Sequence, residues 1–248
     1  MIPMPELRLD KLLAGTGALS RSEAKKAIRE GRVCVEGTPV LDPSAHCDPA
    51  KTVTLDGTPV HWQEHLYLMM NKPGGVLSVT EDKHAPTVLD LLPPELRRRN
   101  LSPAGRLDKD SEGLLLLTSD GDFCHRVISP RSGIVKEYYI EVLHPFPAGA
   151  EELFRRGAVL EDGTVCLPAR LEASEDRLSA RVFLSEGKYH QVKRMALASG
   201  TRVAYLKRLS VGGVALDPAL APGQWRELTA RERLLLSDNL HKSGMEAL

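Results

Sequence analysis

The apolar residues of this 248-residue chain gather in short β-type runs that do not alternate strictly with long helices. Residues 66–70, 114–118, 134–143 and 178–184 predict strands, whereas 122–128, 149–156 and 189–199 carry helical spacing. A doubly wound sheet needs a helical crossover between each pair of parallel strands. The pattern here instead predicts an α+β fold around a mixed, mostly antiparallel sheet.

A separate, smaller module precedes that body. Residues 1–62 predict a small α/β domain, 62–65 a linker, and 66–240 the larger domain. In the small module Ser20-Arg21-Ser22-Glu23 is a capping-box signature: Ser20 can accept from the Glu23 amide, and Glu23 can reach back. The helix so started buries Ala24, Ala27 and Ile28 and stops at Gly31. Val33-Cys34-Val35 and Thr52-Val53-Thr54-Leu55 follow as short strands, with Glu36-Gly37 and Asp56-Gly57 as turns. On the helix and its exit, Arg21, Lys25, Lys26, Arg29 and Arg32 stand against Glu23 and Glu30, a local +3. That is either a solvated helix face or a surface for a polyanion.

Charge excludes some classes of function. The chain has 33 Lys+Arg and 33 Asp+Glu, with 42% apolar residues. It is therefore no disordered polyelectrolyte, and any nucleic-acid contact must rest on where the cations sit. No apolar run approaches the ~18 residues of a membrane span, and the first residues lack a signal-peptide layout. Cys34, Cys47, Cys124 and Cys166 form no C-x-x-C pair, so they predict reduced thiols in a cytoplasmic protein rather than a zinc site.

Three segments carry candidate chemistry. Gly105-Arg106-Leu107-Asp108-Lys109-Asp110-Ser111-Glu112-Gly113 sets Asp108, Asp110 and Gly113 at the first, third and sixth positions of a calcium loop. Glu112 at the fifth position and Ser119 at the twelfth fail to complete one, since the last position requires a bidentate Glu. The segment is then a turn built on Asp side chains, or it holds an acid at a sheet edge for catalysis. In extended backbone, Arg106 and Asp108 emerge on the same face. The second segment, Ser185-Glu186-Gly187-Lys188-Tyr189-His190-Gln191-Val192-Lys193-Arg194-Met195, leads from a strand into a helix. From Arg177 to Arg208 there are eight Lys/Arg and one acid, Glu186, a local +7 that favours a polyanionic partner. The third, Asn71-Lys72-Pro73-Gly74-Gly75, is a turn or a close backbone approach to a ligand. Arg97-Arg98-Arg99 reads as a solvated loop or helix end, with phosphate contact as the alternative. No nucleotide-binding glycine pattern, H-E-x-x-H or serine nucleophile elbow occurs.

Together these segments resemble the pseudouridine synthases of the small-subunit ribosomal RNA type, the RsuA-like enzymes. The resemblance spans nearly the whole chain. It rests on Asn71 to Val76, His84 to Leu89, Ala104-Gly105-Arg106-Leu107-Asp108 with Gly113-Leu114, His125 to Arg131, Lys136-Glu137-Tyr138, Glu186 to Met195, Gly212-Gly213 and Leu220 to Gly223. The Tyr-His-Gln-Val-Lys-Arg-Met form of the basic segment looks like the small-subunit branch. The first module is similar to the RNA-binding domain shared with ribosomal protein S-four. Ser111 stands where Thr is common and Ala196 where Phe is common.

The resemblance implies a pseudouridine synthase fold and isomerisation of uridine to pseudouridine in 16S ribosomal RNA, at uridine-516, without a cofactor or metal. It carries the role of essential acid onto Asp108, which would attack C1′ or take the 2′ proton. Lys193 takes the place of its basic partner, with Arg194 as the alternative if the register shifts by one. Tyr138 matches the active-site tyrosine; otherwise it is a strand aromatic in the core. Arg106 would hold the flipped nucleotide or its phosphate. Lys72, Lys188, His190, Gln191 and Arg194 would contact RNA near the target, and Arg21, Lys25, Lys26, Arg29 and Arg32 would bind shaped RNA elsewhere. The implied partner is 16S ribosomal RNA or a partly assembled small subunit, and the chain is expected to be a monomer. A large-subunit target, or a non-catalytic RNA-binding assembly factor, are the alternatives.

Overall fold

The computed structural model describes residues 5–242, which divide into two compact units. The first runs to Leu66 and also takes in Leu92–Leu101. This return of the chain lies within the span that sequence assigns to the larger domain.

In the first unit β1 (Leu7–Arg8) leads into α1 (Leu9–Gly15) and α2 (Arg21–Arg29). The capping box forms: Ser20 Oγ accepts from the Glu23 amide and Glu23 Oε2 accepts from the Ser20 amide. β2 (Val33–Val35), β3 (Thr38–Pro39), β5 (Val53–Leu55) and β6 (Thr58–Val60) make an antiparallel sheet in the order β3-β2-β5-β6. β4 (His46–Cys47) pairs with β1. Leu9, Leu12, Leu13, Ala24, Ala27, Ile28, Val33 and Val53 form one apolar cluster, the helical i, i+3, i+4 spacing meeting the inward face of the strands. The returning segment carries the short α3 (Pro94–Arg97). Its arginines serve the fold: Arg97 donates to the Leu92 carbonyl, Arg98 to those of Gly17 and Ala18, and Arg99 to that of Gln63.

The second unit is built on a nine-stranded sheet. Its path is β11 (Arg170–Ala173), β12 (Ser179–Leu184), β10 (Lys136–Val142), β13 (Val203–Val211), β9 (Glu112–Thr118), β7 (Tyr67–Lys72) and β15 (Trp225–Glu227). β8 (Ser102–Pro103) pairs with β9, and β14 (Val214–Ala215) with β13. Only the β9–β13 pairing is parallel, so the mostly antiparallel α+β reading holds. α4 (Gly121–Ile128) and α7 (Ala230–Lys242) cover a cluster that includes Met69, Leu114, Leu116, Phe123 and Val127. α5 (Ala150–Arg156) and α6 (Gln191–Ala198) pack Phe154, Val192 and Met195 into a second cluster with Ile140, Val182 and Leu206.

Two departures from the sequence reading shape the site. The nine-residue β13 was not predicted; its Val-Ala-Tyr-Leu-Lys-Arg-Leu-Ser-Val pattern buries Leu206 and Arg208 on the same side. The helix expected from residue 189 starts only at Gln191, because His190 is left-handed, with φ 50° and ψ 33°. Tyr189 and His190 therefore belong to the loop. Among the described residues, no helix is long and apolar enough to cross a membrane. All four cysteines are free thiols.

Candidate active site

The loop between β8 and β9 turns on a hydrogen bond from the Ser111 amide to the Asp108 carbonyl, at 3.1 Å. Leu107 is buried in the second apolar cluster, which leaves its neighbours Arg106 and Asp108 facing outward. Ser78 Oγ fastens Leu107 from both sides, donating to its carbonyl at 2.9 Å and accepting from its amide at 3.1 Å. The Gly75 amide donates to the Lys109 carbonyl at 2.7 Å. The turn is closed by backbone rather than by Asp side chains, and Asp108 stands on it just before β9.

Lys72 completes this anchorage, and here the structure corrects the expectation of a contact with RNA backbone. Its side chain is fully buried, and Nζ donates to the carbonyls of Ser111 at 2.7 Å, Pro73 at 2.9 Å and Lys109 at 3.2 Å. Its donors are taken by protein carbonyls. Burial pushes the ammonium down to about 8, against the opposing pull of Asp110, Glu112 and Asp108.

Across the site, the first turn of α6 supplies the partner of the acid. Lys193 Nζ lies 3.0 Å from Asp108 Oδ2 and 2.6 Å from Asp110 Oδ1. Burial lowers the Lys193 pKa, but its bonds to Asp110 and Asp108 outweigh that and hold it above the usual lysine value. His190 Nε2 stands 3.4 Å from Asp108 Oδ1. Arg194 turns away and pairs with Asp162 at 2.6 Å, so the register places Lys193 and not Arg194 on the acid.

The loop before α6 is organised by a buried carboxylate. Glu186 is 5% exposed; it accepts from the Leu167 amide at 2.8 Å, from Gln191 Nε2 and from Lys188 Nζ. Burial would raise its pKa, yet Lys188, the Leu167 amide and Gln191 together hold it below the usual glutamate value. Gln191 is likewise buried, with Oε1 accepting from the Lys188 amide at 2.8 Å. Gln191 is therefore a loop anchor and not an RNA contact, a second correction.

Tyr138 lies on β10 in the same apolar cluster as Leu107. Lys72, Gly113, Arg208 and Tyr138 form one lateral row across β7, β9, β13 and β10. Gly113 has φ +99°, and a Cβ there would stand 2.2 Å from the Arg208 carbonyl oxygen. Only glycine lets the parallel strands meet at this point. Lys136, two residues before Tyr138, is also buried, and burial pushes it down to about 8.

Four acids from elsewhere, Glu151, Glu137, Asp108 and Asp162, reduce the local +7 to +3, and Glu186 within the stretch pairs with Lys188. Arg177 pairs with Glu151, Arg181 with Glu137, Lys188 with Glu186, Lys193 with Asp108 and Arg194 with Asp162, while Arg208 is buried on the Leu114 carbonyl. In the first unit, Arg21 pairs with Asp10, Lys26 with Glu30 and Arg32 with Asp56. Lys25 and Arg29 have no carboxylate within 4.0 Å among the described residues.

The RNA pseudouridylate synthase family matches residues 66–198, the stretch that carries every one of these second-unit side chains except Arg208. The chain belongs to this family. An S4 domain matches residues 7–53. RNA pseudouridine synthase YtzG of Bacillus subtilis, described as uncharacterized, is 48% identical over 94% of this chain and 99% of its own. Ribosomal small subunit pseudouridine synthase A of Escherichia coli K12 is 40% identical over 91% of this chain and 98% of its own. A pseudouridylate synthase crystal structure aligns with a TM-score of 0.66 at 36% identity, covering 93% of this chain and 99% of that one. The protein is thus a pseudouridine synthase, an RNA isomerase with an S4 domain.

For this pseudouridine synthase, sequence reasoning missed Ser78, Asp110 and Lys136 as neighbours of the site. Ser78 follows the Asn71–Val76 segment but has no motif of its own. Asp110 was visible only as a candidate calcium ligand. Lys136 stood beside Tyr138 in the resemblance without a role.

Proposed function

We propose that the protein isomerises uridine to pseudouridine in 16S ribosomal RNA, at uridine-516, with Asp108 as the essential acid. The observation that carries this reading is the 3.0 Å pairing of the Asp108 carboxylate with Lys193 at the rim of a loop fastened by Ser78 and Lys72. The name of the Escherichia coli relative supports a small-subunit substrate.

The reaction breaks the bond between ribose C1′ and uracil N1, turns the base and joins C5 to C1′. The proton leaves C5 and one is gained at N1, so no outside reactant is consumed. Asp108 acts as the carboxylate, either attacking C1′ or taking the 2′ proton. Lys193 sets a positive charge 3.0 Å from that carboxylate, with both side chains about three-quarters withdrawn from solvent. The reacting uridine leaves its stack at a cost of a few kcal/mol, and exposed Arg106 holds the extruded nucleotide or its phosphate. Tyr138, 7% exposed in the apolar cluster with Leu107, backs the uracil from within the core rather than standing free beside it. The S4 domain grips structured RNA without reading the reacting base.

The test is to map pseudouridines in ribosomal RNA from cells that carry the gene, lack it, or carry only Asp108→Asn. Loss of one small-subunit pseudouridine in both altered strains is expected. A modification that persists with Asp108→Asn overturns the role of that acid, and loss of a large-subunit pseudouridine overturns the substrate.

A further inference from the structure

We propose that Tyr189 is a stacking platform for an unpaired RNA base that flanks the uridine being isomerised, an inference that rests on the uridine-isomerase reading. Tyr189 is 75% exposed. The chain has eleven Trp, Tyr and Phe residues, and Tyr189 is the only one whose side chain is exposed and not buried or half-buried. A lone exposed apolar residue needs no explanation by itself. Three further features separate this one from that case.

The ring is held in place. Its loop is tied on the chain before it by Glu186, which gathers Lys188, Gln191 and the Leu167 amide, and on the chain after it by the start of α6. Holding a surface aromatic on a fixed loop lowers the entropy lost when a ligand stacks on it. The ring is also oriented. Its centroid lies 3.8 Å from that of His190, with 19° between the planes, so one face is covered and the other is open. The His190 backbone of this stack is left-handed, a conformation that non-glycine residues seldom adopt.

The third feature is position. His190 Nε2 is 3.4 Å from Asp108 Oδ1 while the imidazole face carries the phenol ring, so Tyr189 stands one side chain away from Asp108. A uridine delivered to Asp108 has covalent neighbours within one nucleotide step. A neighbouring base that has lost its stacking partner through extrusion of the uridine can recover it on the open face of Tyr189. Aromatic rings accept any base in this way, because every base has a π-face. Lys188 and Lys193 are both engaged with carboxylates, so the ring rather than a free cation supplies this contact.

The experiment measures binding of an RNA hairpin that contains the target uridine, by fluorescence anisotropy, with wild type, Tyr189→Ala and Tyr189→Phe. Tyr189 supports no apolar cluster, so both variants keep the fold. Tyr189→Ala is expected to weaken binding roughly 5- to 150-fold, and Tyr189→Phe to stay within about twofold of wild type. Hairpins with a single abasic nucleotide on either side of the uridine complete a thermodynamic cycle. At one of the two positions the abasic RNA should cost the wild type the same factor and cost Tyr189→Ala nothing further. Equal binding by Tyr189→Ala and wild type overturns the proposal. So does a loss in Tyr189→Phe as large as in Tyr189→Ala, or a Tyr189→Ala loss that is the same on all RNAs. If the wild-type protein binds the hairpin but forms no pseudouridine in it, the isomerase reading on this RNA fails instead, while the binding cycle is still read.

Discussion

The Lys193 ammonium stands 3.0 Å from Oδ2 of Asp108, tying the first turn of α6 to the loop that precedes β9. The same ammonium reaches Asp110 Oδ1 at 2.6 Å, and the two acids together keep its pKa above the usual lysine value in spite of burial. A group with a raised folded pKa keeps its charge, and its stabilising contribution, below the unfolded value near 10.4 and loses both only as pH climbs through the folded one. Lys193 therefore stays cationic throughout the neutral range. Lys193→Met is expected to lower kcat/KM for isomerisation on the order of 10²-fold or more, because it removes the charge facing the acid. Lys193→Arg should recover part of that rate. Single-turnover assays on the RNA hairpin check both, and a Lys193→Met rate within threefold of wild type would remove the lysine from the mechanism.

Gly113→Ala should destabilise the second unit by at least about 2 kcal/mol. The added methyl would meet the Arg208 carbonyl oxygen at 2.2 Å and its amide nitrogen at 2.8 Å, at a residue whose φ is +99°. Both contacts are backbone in the one parallel pairing of the sheet, so no side chain can swing aside. Thermal unfolding followed by circular dichroism measures the effect; an unchanged midpoint would contradict this packing.

What sequence made legible was local. The capping box of α2 spans four residues, and the bonds of Ser20 and Glu23 form as their spacing predicts. The strand runs at Leu114–Leu117 and the turn at Asp108–Ser111 likewise depend on near neighbours. What remained hidden depends on partners distant along the chain. Lys72 reads as a surface cation until the carbonyls of Lys109 and Ser111 are brought to it. The basic stretch from Arg177 to Arg208 reads as a free +7 until Glu151, Glu137, Asp108 and Asp162 arrive from other elements. β13 escaped notice because its cations broke the apolar alternation that marks a strand, and one of them, Arg208, points inward.

Lys72 and Lys136 should titrate far below ordinary lysines. Burial pushes each down to about 8, whereas an unfolded lysine titrates near 10.4. Between those values the unfolded chain binds more protons than the folded one, so these two residues make stability rise with pH from about 8 to about 10.4. Below about 8 the fold carries the full cost of both buried ammonium groups. Side-chain NMR of labelled lysine should show two resonances with midpoints near 8, one missing in Lys136→Met and the other in Lys72→Met. The urea midpoint of Lys136→Met should rise less steeply than that of wild type over the same pH interval, and parallel curves would refute the assignment.

RNA binding by the S4 domain should depend on Lys25 and Arg29 more than on the other cations of α2 and its exit. Arg21 and Arg32 have carboxylates beside them, Asp10 and Asp56, which a phosphate would have to displace or share. Asp10 is fully buried and also accepts from Arg8, so the Arg21 contact belongs to the fold. Lys25 and Arg29 have no such partner among the described residues, and their charge is available to phosphate. Each phosphate contact adds roughly 0.7–0.9 to the slope of log affinity against log salt, through release of a condensed counterion. Replacing both Lys25 and Arg29 with Ala should thus flatten the slope by about 1.5 and weaken binding without changing which uridine is modified. Arg21→Ala with Arg32→Ala should flatten it by less and lower the unfolding midpoint instead. Affinities measured from low to moderate salt decide between the pairs, and a slope that is the same in wild type and in the Lys25, Arg29 double variant would take α2 out of the RNA interface.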